Sequence, residues 1–272
     1  MALSLRKLLR PAAAFLVMLL AVLFIWRNWA QVSTSITSMR HVSLTTLLLS
    51  IALMIMTFVL AAFSYSLLVF RKLPLRELML VELAAACVNR VVPSGLGGLG
   101  LHGLYLHHRK HSVAQATAVV SVNNLLGMFV HLSLLAGVFL AGSASGFHLG
   151  SMNQLGWVLA GISAALTLAA SVQRIRRSVR SFIKNLLVSL RRYEHEPHRI
   201  VYASMALCGL TLLHVSILYL ATNSMGILVD APTLFVIYSA GVLFGATVPT
   251  PGGLAGFEAG LVGGFMLHGI NS

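Results

Sequence analysis

Seven ionisable side chains stand inside long apolar runs of this sequence: Glu82, Arg90, His102, His131, His214, Glu258 and His268. A charge at the centre of a bilayer costs on the order of 3 kcal/mol even on lenient insertion scales, so these residues are expected to face one another or a polar cavity. Two of them close a broken motif. The first copy reads Arg90-Val-Val-Pro93-Ser-Gly95-Leu-Gly97-Gly98-Leu-Gly100-Leu-His102, the second Val248-Pro249-Thr-Pro251-Gly252-Gly253-Leu-Ala-Gly256-Phe-Glu258. Placing Pro93 on Pro249 aligns Gly97 with Gly253, Gly100 with Gly256 and His102 with Glu258, an internal repeat of proline, two glycines and an ionisable residue at constant spacing.

Proline ends the helix before it, and glycine lets the chain turn tightly with backbone N–H groups free at the start of the next helix. Such a helix start favours an anion, phosphate above all. Arg90 is the preferred phosphate partner, because a guanidinium matches two phosphate oxygens at once. Glu82 lies eight residues before Arg90 and is expected on roughly the same helix face, two turns away. Glu258 either neutralises Arg90, meets a cationic headgroup or forms a structural ion pair. The glycines also have a plainer reading, as small residues that let membrane helices approach closely. Duplication of the break favours a cavity, since irregular backbone at membrane depth must be buried in protein or line a wet space. Asn123 and Asn124 either line that cavity or bond between helices, the second being the stronger reading.

Other chemistries find less support. His107, His108 and His111 surround Arg109 and Lys110 without a carboxylate or cysteine to complete a metal site, and read as a wet, basic turn. No Gly-rich loop ending in Lys-Ser or Lys-Thr is present, so any transport runs downhill or on an ion or proton gradient. Cys87 and Cys208 sit in apolar runs and read as packing residues. Neither a cofactor nor a metal is expected.

The elements that must position these groups follow from composition. Of 272 residues, 58% are hydrophobic and 9% charged, with mean hydropathy +0.89, where soluble domains carry about 25% charged residues. Apolar runs at 12–26, 44–70, 113–142, 155–172 and 200–222 are long enough to span a bilayer. Regions 77–108 and 232–270 are apolar but broken by Pro and Gly, so each reads as two short helices. The expected fold is all-α: one transmembrane helix bundle over 1–272, with two broken, re-entrant helix pairs forming an inverted repeat.

The net charge of +13 does not point to nucleic acid, because its basic residues fall in short loops. Arg6, Lys7 and Arg10, then Arg71, Lys72 and Arg76, then eight basic residues over 174–199 lie on one side, which should be cytoplasmic together with the amino terminus. Loops 143–153 and 223–231 on the other side lack Lys and Arg, although Arg27 and Arg40 remain there. No small-x-small site follows 12–26, so that segment reads as a retained helix. Segment 174–190 gathers Ile175, Val179, Phe182 and Leu186 on one face, with Arg174, Arg177 and Lys184 elsewhere, as in a helix lying on an anionic leaflet. Positive-inside bias alone accounts for its charge; recruitment of anionic phospholipid is the second reading.

Two segments, VPSGLGGLG over 92–100 and above all VPTPGGLAGFEAGLV over 248–262, resemble the flippase-like transmembrane region of lysylphosphatidylglycerol synthases. The resemblance covers about 12–270. It implies a stand-alone bacterial inner-membrane protein that moves an aminoacylated or otherwise modified phospholipid between leaflets, the substrate varying among members. Departures are His102, where many members carry a charged residue, and Asn123 and Asn124, near a usual acidic and basic pair. Members usually continue with a further helix past the position of Ser272. No soluble aminoacyl-transferase domain fits in this length, so a modifying enzyme is expected as a separate chain.

The leading expectation is therefore a lipid flippase-like protein whose partner is a membrane phospholipid, anionic or aminoacylated. Its expected binding residues are Glu82, Arg90, His102, Asn123, Asn124, Glu258 and the Pro and Gly residues of both breaks. A membrane-embedded transferase with Glu82 or Glu258 as general base, and a lipid-binding accessory subunit of a lipid-modifying enzyme, are the alternatives.

Overall fold

The structure is a computed structural model describing residues 42–92, 96–141, 193, 196–247 and 253–269. The regular elements among them are helices: α1 (Leu44–Leu68), α2 (Leu75–Val91), α3 (Leu96–His108), α4 (Val113–Leu140), α5 (Pro197–Ser224), α6 (Ala231–Thr247) and α7 (Leu254–Leu267). The expected spans at 12–26 and 155–172, the amphipathic segment 174–190, and Pro93, Gly95, Pro249, Pro251 and Gly252 lie outside the described residues.

Helix starts follow local chemistry. The Ser43 hydroxyl accepts from the Thr46 N–H at 3.1 Å to open α1. Ser112 and Gln115 open α4 with a reciprocal capping box, at 3.2 and 2.9 Å. A carboxylate oxygen of Asp230 accepts from the Thr233 N–H at 3.0 Å to open α6. Pro74 precedes α2 and Pro197 stands in the first turn of α5, where a missing N–H costs nothing.

α1, α4 and α5, at 25, 28 and 28 residues, are long and apolar enough to cross a membrane. At 1.5 Å per residue they run roughly 37 to 42 Å, against a hydrocarbon core of about 30 Å. Their outward faces carry large apolar side chains, such as Phe129 at 67% exposure and Met205 at 64%, which a lipid environment would cover. α1 and α5 pack antiparallel: the Tyr193 hydroxyl donates to Leu68 O at 2.6 Å and the Arg199 guanidinium to Val69 O at 3.2 Å. These two donors satisfy carbonyls that the end of α1 would otherwise leave bare.

α2 and α3 form a hairpin of 17 and 13 residues, each arm shorter than a crossing. At its open end Tyr105 and Arg109, on and just past α3, bond Glu77 in the first turn of α2. That end meets the Tyr193 and Arg199 contacts and carries Arg71, Lys72, Arg76 and Lys110, making one basic end of the bundle.

α6 and α7, at 17 and 14 residues, form the second hairpin. α6 starts a short loop after α5 has run the length of the bundle, so this hairpin opens toward the opposite end. Gly253 at its tip has φ +66°, a left-handed conformation that glycine adopts without strain. Lower down, a Cβ on Gly260 would lie 2.7 Å from Ala240 O, so only glycine fits. One apolar cluster, around Leu68, Leu78, Leu106 and Val119, fills the basic half; a second, around Val215, Leu234 and Ile237, fills the other.

Candidate functional site

Between those two clusters, α1 to α5 line a cavity of about 560 Å3. Counting 1.5 Å per residue from the basic end, Asn123 lies about 15 Å along α4 and His214 about 26 Å along α5, which brackets the middle of the bundle.

Its chemistry centres on His102. The ring is 5% exposed, stacks on Tyr65 of α1 with centroids 4.3 Å apart and planes 11° apart, and meets two acceptors. Nδ1 is 2.8 Å from Gly98 O, one turn back in α3. Nε2 is 3.0 Å from Glu82 Oε1, across the hairpin on α2. A partly buried carboxylate at this depth gains from a hydrogen-bonding partner of this kind. Asn123 of α4 receives the Ser64 hydroxyl of α1 at 2.8 Å, while Asn124 donates to Val120 O within its own helix at 2.8 Å. Both amides line the cavity, and Asn123 also bonds between helices.

The first break meets its helix start differently from a bare anion cradle. The Gly98 N–H, in the first turn of α3, donates to Asn89 Oδ1 at 2.6 Å, so α2 caps α3. Gly97 allows the arms to approach, its Cβ position lying 2.6 Å from Val88 Cγ1. Gly98 lines the cavity. Gly100 faces open space, where an added Cβ would meet nothing within 4 Å.

Arg90 is exposed and is not among the lining residues. Eight residues turn an α-helix about 80° beyond two full turns, so Glu82 and Arg90 do not share a face. Glu258 is also exposed on α7, and neither it nor Gly256, which is buried in that helix, lines the cavity. The second hairpin reaches the cavity wall indirectly. His214 stacks on Tyr238 of α6 at 6.0 Å, and Tyr238 meets Phe257 of α7 edge-on at 6.1 Å. His131 of α4 adjoins the same group, 5.4 Å from Phe235. Away from the cavity, His107 and His111 turn Nδ1 to backbone carbonyls.

Sequence reasoning missed Ser64, Tyr65 and Asn89. Each is a polar residue in an apolar run, the same signal that marked Asn123, and the run Phe63-Ser64-Tyr65-Ser66 shows it most clearly. The described lining contains a carboxylate and two histidines but neither lysine nor arginine.

These features define a helical membrane protein with a polar cavity bounded in part by a short helical hairpin. The chain belongs to the lysylphosphatidylglycerol synthase TM region family, whose family model matches residues 11–272. No curated protein and no solved structure matches it.

Proposed function

We propose that this chain is a lipid flippase-like protein that takes a phospholipid headgroup into the cavity while the acyl tails stay in the bilayer. The observation that carries the reading is the Glu82–His102 pair facing a mid-bundle cavity. Polar groups at such depth are costly unless they serve a ligand or a path. With a carboxylate and, among the described residues, no lysine or arginine in the lining, the cavity suits a headgroup bearing an ammonium group better than a bare phosphate. An aminoacylated phospholipid such as lysylphosphatidylglycerol has that chemistry, and the family's name supports it. The phosphate itself would stay nearer the rim.

The same reading makes the protein a multi-pass component of the bacterial cytoplasmic membrane with its basic end inside, on the positive-inside bias of Arg71, Lys72, Arg76, Arg109 and Lys110. Movement would be rocking of one hairpin-containing half against the other. A separate lipid-modifying enzyme would supply the substrate.

The test is headgroup accessibility of labelled lysylphosphatidylglycerol and phosphatidylglycerol in vesicles carrying the purified chain. Redistribution of the aminoacylated lipid, strongly reduced by Glu82→Gln, is expected. A chemically altered headgroup would indicate a transferase instead, and binding without redistribution an accessory subunit.

A further inference from the structure

A carbonyl oxygen only accepts hydrogen bonds, so the contact to Gly98 O at 2.8 Å puts a proton on His102 Nδ1. The contact between Nε2 and Glu82 Oε1 at 3.0 Å then needs a second proton, because an imidazole lone pair and a carboxylate lone pair repel. Whether nitrogen or oxygen carries it, the pair holds one proton on the shared edge and has no net charge.

The surroundings keep that account closed. Tyr65 stacks on the ring from α1, Asn123 and Asn124 line the cavity from α4 and His214 lines it from α5; among the described residues no lysine or arginine lines the space. An ammonium group arriving alone would leave an uncompensated charge at mid-depth, a severe penalty. Loss of the shared proton removes the penalty: Glu82 remains a carboxylate paired with the ammonium, His102 becomes neutral and keeps its Nδ1–H bond to Gly98 O, and the proton passes to cavity water. The total charge is zero before and after.

We propose that Glu82 and His102 form a proton-exchange site, releasing one proton as a cationic headgroup enters and rebinding one as it leaves, so that lipid movement is exchanged against protons. This rests on the headgroup reading above.

Titration calorimetry on the full chain in detergent micelles tests it, with dioctanoyl lysylphosphatidylglycerol as probe in buffers of different ionisation enthalpy. At about pH 6 the lipid's amines are protonated and do not take up protons themselves. The expected result is about one proton released per lysyl lipid bound, and near none with dioctanoyl phosphatidylglycerol. In Glu82→Gln the amide donates to a neutral Nε2, so whatever lysyl lipid still binds releases near none. Wild-type heat that is the same in every buffer overturns proton exchange and leaves the headgroup reading standing, as does equal release with both lipids. Absence of binding by either lipid overturns both. Should the variant not fold, the wild-type buffer series decides alone.

Discussion

His102 illustrates how one side chain can organise a site from three helices. Its Nδ1 is spent on its own helix, its Nε2 on α2 and its face on α1, so its orientation is over-determined. Arg90, the residue most inviting in the sequence, has an exposed position off the cavity. The two therefore separate experimentally: in a lipid-redistribution assay, His102→Ala should lose most activity while Arg90→Ala and Glu258→Gln stay close to wild type. Loss of movement in Arg90→Ala would return the phosphate role to it. Asn123→Leu removes an interhelical bond to Ser64 and should lower thermal stability in detergent by about 1 kcal/mol, a usual value for membrane hydrogen bonds.

At the scale of elements, the long helices were legible because an apolar run of spanning length has few alternatives. α1, α4 and α5 lie within a few residues of the expected 44–70, 113–142 and 200–222. The broken regions were equally plain, since Pro and Gly punctuate them. What sequence could not give was the rotation of each helix about its axis. Glu82 and Arg90 read as one face only if two turns were counted as exactly eight residues, and the partnership of Ser64 with Asn123 depends on how two distant helices are aligned. Gly97 and Gly260 permit close packing, while Gly98 lines the cavity. Gly260→Ala should force α6 and α7 apart and cost about 1 to 3 kcal/mol, as overpacking does. Gly103→Ala, with nothing within 4 Å of the new methyl group, should leave the melting temperature in detergent unchanged or slightly raised.

For the whole molecule, the basic end gathers the first hairpin's open end, the start of α5 and the end of α1. The inverted arrangement makes a sidedness prediction. Single cysteines placed at Lys110 and at Leu228, in a chain whose Cys87 and Cys208 are replaced by alanine, should react with a membrane-impermeant maleimide from opposite sides of the membrane. Labelling of both from one side would remove the inverted pair of hairpins.

The contact of Gly260 with Ala240 O and Gly241 Cα has a mechanical meaning. Backbone this close to backbone leaves no room for a side chain between α6 and α7, and the pair is expected to move as a single lever. Such a lever would pivot at the loop 225–230 and bear on α5 where Tyr238 stacks on His214. Spin labels on the two arms should hold a fixed separation while their distances to α1 change with bound lipid, the hairpin swinging as one piece.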